Sequence, residues 1–250
     1  MKKVFISGSI SIKILPNDVK KSINNIINQK FEIIVGDALG IDSLVQNYCK
    51  QLNYHNVTVY SINLQPRYKA DVNFKTKYIE VSKNIKSFRE KQQEKDKAMT
   101  NDSDFTFVIW DGKSKGSYSN IIRGIENNKK VKVFLFNENI FIENTKVDKN
   151  HIESIYRKNI GYTASEVLNH FKSETDKVFK RTQDLNKYLL NELILKQDNK
   201  IYTPTNKYED LFIIERYKGK IRGVKFKKEF ISWFKQYIKK DNKYKQANLF

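Results

Sequence analysis

The chain has a single cysteine, Cys49, among 250 residues, which excludes an internal disulfide and gives no thiolate cluster for a metal. One position from Tyr48 on a helical stripe, Cys49 reads as a small buried hydrophobe rather than a reactive thiol. The three histidines, His55, His151 and His170, are scattered without a spaced partner, so no metal site is expected. No apolar run approaches the roughly 20 residues that a membrane span needs. The opening Met1-Lys2-Lys3-Val4 runs straight into a strand pattern, without a signal-peptide hydrophobic region. The expectation is a cytoplasmic protein with no membrane partner.

Acidic residues are also in short supply. There are 28 Asp and Glu against 47 Lys and Arg, a formal charge of +19. The surplus is about +9 over residues 1–150 and about +10 over the last hundred, so it is denser towards the C-terminus. Such a surplus favours polyanions through phosphate attraction and counterion release. The plainer alternative is a lysine- and asparagine-rich composition that places lysine on solvated faces.

Glycine is scarce as well, nine in all, and five of the nine fall in three strand-to-turn junctions. These are Val4-Phe5-Ile6-Ser7-Gly8-Ser9, then Ile33-Ile34-Val35-Gly36-Asp37-Ala38-Leu39-Gly40-Ile41-Asp42, then Phe107-Val108-Ile109-Trp110-Asp111-Gly112-Lys113-Ser114-Lys115-Gly116-Ser117. Each follows an apolar run too short for a helix and opens a segment with helical periodicity. In open α/β sheets, ligands sit beyond the carboxyl ends of the strands, where turn amides and helix N-termini face anions. The expected nucleotide-binding residues are therefore Ser7, Gly8, Ser9, Gly36, Asp37, Ala38, Gly40, Asp42, Asp111, Gly112, Lys113, Ser114, Gly116 and Ser117. No cofactor is called for beyond a nucleotide-derived small molecule.

Residues 1–137 alternate strand and helix. Expected strands are Lys3–Ser7, Phe31–Val35, Val57–Ile62, Phe105–Trp110 and Val131–Phe136, continuous apolar runs suited to strands covered on both faces. Between them, Pro16 precedes Val19, Ile23, Ile26 and Ile27 at helical spacing. Ile41 to Leu52 forms a second stripe, and a third helix from Ser117 carries Ile121, Ile122 and Ile125. Residues 63–104 break the rhythm, as an irregular loop and then a solvated, charged helix centred on residues 88–99. An arginine there could reach a ligand phosphate.

The expected fold is α/β, a Rossmann-like five-stranded parallel sheet flanked by helices over residues 1–140. A connector (141–161) and a smaller α+β winged helix-turn-helix (162–240) follow, with a basic tail at 241–250. In the second part, Thr163-Ala164-Ser165-Glu166 is a capping box. A helix opening at Thr182 carries Leu185, Tyr188, Leu189 and Leu193. Short β-prone pieces then flank a basic glycine turn, Lys218 to Gly223, and a helix holds Phe230, Trp233, Phe234 and Tyr237. In a winged helix the second helix enters a major groove and the wing lies on the backbone. The DNA contacts expected are Arg181, Thr182, Gln183 and Lys187 from the helix, and Lys218, Lys220, Arg222 and Lys225 from the wing. A protein-protein module of the same shape is the alternative.

On the quoted junctions, residues 3–136 resemble the SLOG superfamily, and within it the YspA-like branch. These are Rossmann-like domains related to the DNA-processing protein of transformation and to the cytokinin-activating phosphoribohydrolases. Residues 110–117 carry the resemblance most specifically. It implies a nucleotide or nucleotide-derived ligand, and a sensor role in antiviral systems is one of its variants. The phosphoribohydrolases, and the similar nucleoside deoxyribosyltransferases, place a catalytic glutamate four residues after the glycine that matches Gly116. Here that residue is Asn120, which is neither nucleophile nor base, so the domain reads as a binder with no catalytic residue assigned. A nucleotide N-glycosidase or deoxyribosyltransferase-like enzyme is the alternative.

Residues 184–189, 202–207 and 230–234 are similar to winged-helix modules of phage antirepressor-type proteins, which implies DNA and dimerisation on paired half-sites. The terminal Gln246-Ala247-Asn248-Leu249-Phe250 resembles the peptide by which replication and repair proteins dock on the bacterial sliding clamp. The resemblance gives Gln246, Leu249 and Phe250 the docking roles. Alternatively, Leu249 and Phe250 fold back onto the module's own core.

Overall fold

The structure is a computed structural model that describes residues 1–175 and 179–247, with side chains described throughout except at 172–175 and 240–247. The chain divides into two compact units, Met1–Glu153 and Ser154–Phe250.

The first unit is mixed α/β. Its strands are β1 (Lys3–Gly8), β2 (Glu32–Val35), β3 (Val57–Ser61), β4 (Lys75–Tyr78), β5 (Phe105–Trp110), β6 (Lys130–Leu135) and β7 (Ile140–Phe141). They form one sheet in the order β4-β3-β2-β1-β5-β6-β7, parallel except where β7 pairs antiparallel with β6. The chain runs outward from β1 to β4, then returns across to place β5 on the other side of β1. That reversal opens a crevice at the carboxyl ends of β1 and β5, where an open parallel sheet takes its ligands.

Successive strand residues point to opposite faces, and both faces are covered. Val4, Ile6, Ile33, Val35, Val57, Val59, Phe107 and Ile109 pack with Val19 and Ile23 of α1 (Asn17–Asn28) and with Ile41, Val45 and Cys49 of α2 (Ile41–Gln51). Phe5, Ile34 and Tyr60 pack on the other face with Met99 of α3 (Phe88–Asp102). α4 (Lys115–Glu126) follows β5, with Ile121 fully buried. The seven-stranded, mostly parallel sheet between helices is compatible with a Rossmann-like fold.

The sheet has seven strands, not five. β4 lies inside the stretch read as an irregular loop; all four of its residues are exposed, so it carries no apolar pattern. Its two lysines suit an open sheet edge. α3 is only partly solvated, since it buries Lys95, Met99 and Thr100. Most of the stretch read as connector is α5 (Lys149–Ile160), and the division between the units falls within it.

The second unit contains α6 (Ala164–Thr175), α7 (Thr182–Asn191), the hairpin β8 (Leu195–Asp198) and β9 (Ile201–Pro204), the hairpin β10 (Phe212–Tyr217) and β11 (Lys220–Phe226), and α8 (Lys228–Ala247). The capping box forms: Glu166 N–H donates to Thr163 Oγ1 at 3.2 Å, and Thr163 N–H donates to Glu166 Oε2 at 2.7 Å. α7 stops at Asn191, and Leu193, read as part of its stripe, is exposed in a left-handed turn with φ 55°. The core is aromatic: Phe171, Phe179, Phe212, Phe226, Phe230 and Phe234 pack with Leu185 and Leu189. α8 continues through residues 241–247, within the stretch read as a basic tail, because no glycine or proline interrupts it.

Candidate functional site

The three glycine junctions occur where expected but do different work. Gly8 lets β1 approach its neighbours: a Cβ there would stand 2.3 Å from the Ile109 carbonyl oxygen and 2.6 Å from Ile41. Ser7 and Ser9 are buried and tie β1 to α4 and to the end of β5. The Asn120 amide donates to Ser7 Oγ at 3.2 Å, Ser9 Oγ lies 3.3 Å from Ser117 Oγ, and Asp111 N–H donates to Ser9 Oγ at 3.1 Å.

The second junction turns inward. The space beside Gly36 is filled by the Asp42 carboxylate, 2.3 Å from where a Cβ would sit, and Gly40 takes φ 80° against the Ile10 backbone. Asp37 is fully buried. It accepts from Arg67 at 2.7 Å, from Lys95 at 2.9 Å and from Ser61 at 2.9 Å. Burial alone would raise its pKa; Arg67 and Lys95 outweigh this and hold the carboxyl well below its ordinary range.

The third junction is an aspartate-anchored turn. Asp111 Oδ1 accepts from the N–H groups of Lys113 at 2.9 Å and Ser114 at 2.7 Å, and Gly112 supplies φ 75°. Burial opposes the Asp111 charge, but these N–H groups and the Ser11 and Ser9 contacts leave its pKa lowered. The turn delivers the chain into α4, whose N-cap residue, Ser114, makes no side-chain cap bond. The first N–H groups of a helix have no intrahelical acceptor. Gly116, in that first turn, has nothing within 4 Å of where a Cβ would sit.

A cleft of about 330 Å³ gathers parts of all three junctions: Ser7 and Gly8, Ala38 and Asp42, and Ser114, Gly116 and Ser117. This lies at the lower end of the range for small-molecule sites, roughly 300–1,000 Å³. Ser9, Gly36, Asp37, Gly40, Asp111, Gly112 and Lys113 are not among its lining residues; Ser9, Asp37 and Asp111 bond to the protein itself, and Lys113 is exposed. The remaining wall comes from Lys115, which lies within the third junction, and from residues outside all three: Arg67, Phe88, Arg89, Gln92, Lys95 and Asp96, together with Asn120 and Arg123 from α4. A larger hollow of about 860 Å³ lies at the opposite, N-terminal ends of the strands, lined by Val4, Phe105 and Val131 among others. The smaller cleft is the better candidate, because its polar groups converge at the carboxyl ends of the strands, where open parallel sheets take their ligands.

Phe88 is 58% exposed at the cleft wall, with the Arg67 guanidinium 5.6 Å from its ring centre. Gln92 Oε1 accepts from Arg67 at 3.2 Å, and its Nε2 is buried without a hydrogen-bond partner among the described residues. Burial pushes Asp42 up to about 6, with Asp96 and Asp37 adding to the rise and Lys95 and the Ala38 N–H opposing it. Asp96 is raised by burial too, against the pull of Lys95, Arg123 and Asn120. Burial also lowers the Arg123 pKa. Arg123 donates to Asn120 Oδ1 at 2.7 Å, which fixes the amide so that its nitrogen meets Ser7. Among the described residues, no three His, Cys, Asp or Glu side chains are grouped to hold a metal ion.

In the second unit, Arg181 at the N-cap of α7 and Gln183 and Lys187 on it are exposed, and Thr182 is partly so. Lys218, Lys220 and Arg222 are exposed at the β10–β11 hairpin tip, whereas Lys225 is half-buried and lies 3.8 Å from Glu215. The Gln246 backbone belongs to α8, its side chain is not described, and Leu249 and Phe250 lie outside the described residues. Among the described residues no helix is long and apolar enough to cross a membrane. Comparison with protein-family models, with curated proteins and with solved structures finds no match to this chain.

Proposed function

We propose that this chain couples a nucleotide-like ligand, held in the cleft of the first unit, to nucleic-acid binding by the second unit, which we read as a winged-helix-like DNA-binding module. The observation that carries the first half is the open first turn of α4 facing a cleft walled by Arg67, Arg89, Lys115 and Arg123. A helix N-terminus and flanking guanidinium groups suit phosphate. The hydroxyls of Ser7, Ser114, Ser117 and Ser119 add hydrogen-bonding partners, and Phe88 offers a ring face to a base.

The second half is supported by the charge surplus and by the exposed cations of α7 and the hairpin tip. Phosphate attraction accounts for affinity without specifying sequence. A SLOG-type ligand domain, dimeric binding to paired half-sites and recruitment to the sliding clamp through the terminal peptide belong to the same reading. Calorimetric titration with a panel of mono- and dinucleotides, beside salt-dependent binding to duplex DNA, tests both halves. The reading expects a base-bearing phosphate to bind wild type and to bind at least about tenfold more weakly once Arg123 becomes Ala.

A second reading, cleavage or exchange of an N-glycosidic bond, draws on Asp42 and Asp96. Two carboxylates with raised pKa in one cleft are the pattern expected of acid–base groups. Chromatography of a nucleotide panel after incubation decides between the two readings. Free base released by wild type but not by Asp96→Asn favours the enzyme; no release by either favours the binder.

A further inference from the structure

The β10–β11 hairpin carries more than charge at its tip. Lys218 and Gly219 form the two-residue turn with φ 49° and 80°, a conformation whose twist matches the flanking strands. Tyr217 and Lys220 are paired directly across this turn. The register then shifts: Arg216 pairs with Ile221 and Glu215 with Gly223, leaving Arg222 as the extra residue of a bulge. Bulges re-aim side chains, and here the Arg222 guanidinium stands 5.8 Å from the Tyr217 ring centre, with Lys218 Nζ at 5.7 Å. The Tyr217 side chain belongs to no core, and the residue is 59% exposed. From Arg216 to Arg222 there are four cations and no acid.

We propose that this tip is a binding site for single-stranded nucleic acid, with an unpaired base stacked on Tyr217 and the neighbouring phosphates held by Lys218, Lys220 and Arg222. The inference rests on the reading that the second unit binds nucleic acid, and it names a further form that the hairpin tip of that unit recognises. Phosphates of both duplex and single strand attract the cations, the denser duplex somewhat more strongly. An aromatic face gains only from a base outside a duplex stack. Tyr217 therefore favours the single strand where the cations do not.

The test is fluorescence anisotropy on the full chain with a labelled single strand and a duplex of the same sequence. Wild type, Tyr217→Ala, Tyr217→Phe and the double variant Lys220→Glu/Arg222→Glu are compared. Because Tyr217 is exposed, its variants are expected to melt with wild type. Tyr217→Ala is expected to weaken single-strand binding by about 5- to 160-fold, the span for loss of one stacked base, and duplex binding by less than about twofold. Tyr217→Phe keeps wild-type affinity, and the double charge reversal weakens both forms. If Tyr217→Ala leaves single-strand binding unchanged, or weakens both forms equally while the charge reversal still acts, stacking is overturned and nucleic-acid binding survives. Wild type binding neither form at low salt overturns both.

Discussion

The two units handle charge in opposite ways. In the first, charge is drawn inside: Asp37 and Lys95 are buried together, and Asp42 and Asp96 sit in the cleft wall beside them. In the second, the core is aromatic and the cations are outside. Among the described residues, every buried polar or charged side chain belongs to the first unit. An enclosed, partly neutralised polar network suits a small ligand whose shape and charge must be matched. An exposed array of cations suits a polymer whose phosphates repeat. On the proposed reading, the difference separates a recognition cleft from a gripping surface.

The largest effect that could break the contrast is on stability. Asp37→Ala would leave Lys95 buried without its partner, a change worth about 3–5 kcal/mol when one member of a buried pair is removed. Denaturant unfolding that registers less than about 1 kcal/mol, no more than an exposed ion pair, would show the network to be no more than a surface feature. A comparable loss in the second unit should come from an aromatic instead: Phe234→Ala is expected to cost about 3–5 kcal/mol.

Next in size is pH. Asp42 has its folded pKa raised from 3.8 to about 6, so its contribution is fully present below 3.8 and is lost as pH rises through 6. Asp42→Asn should therefore stabilise the chain at pH 8 relative to pH 4, by at most about 3 kcal/mol. Asp37 runs the other way: its carboxyl is depressed, so its contribution is present above 3.8 and declines on acidification. Melting curves across that range in wild type and Asp42→Asn separate the two. A pH profile that Asp42→Asn leaves unaltered removes Asp42 from the buried network. The smallest effect is a near absence: burial pushes the Cys49 thiol up to about 12, so a thiol reagent should label it only after denaturation.

The core strands were legible because residues buried on both faces leave continuous apolar runs. β4 was not, since Lys75, Thr76, Lys77 and Tyr78 are held by backbone pairing to β3 rather than by burial. The crevice was located by its glycines, yet about a third of its lining comes from α3, which reads in sequence as a solvated helix. Phe88, Gln92, Asp96 and Met99 recur at helical spacing and share the cleft wall. That mixed polar and apolar stripe was the available signal. Gly36 illustrates the converse limit: a glycine admitting the protein's own Asp42 looks, in sequence, the same as one admitting a ligand.

The central claim is that the α4 N-terminus receives an anion, and Gly116→Asp tests it most directly. The position is open, so a side chain fits without displacing anything. Replacing a helical glycine by an acidic residue in the first turn should raise stability by about 0.5–1 kcal/mol. Titration of the same nucleotide into wild type and Gly116→Asp should then show a variant that melts at or above wild type and no longer binds. Equal binding by both proteins would contradict the account.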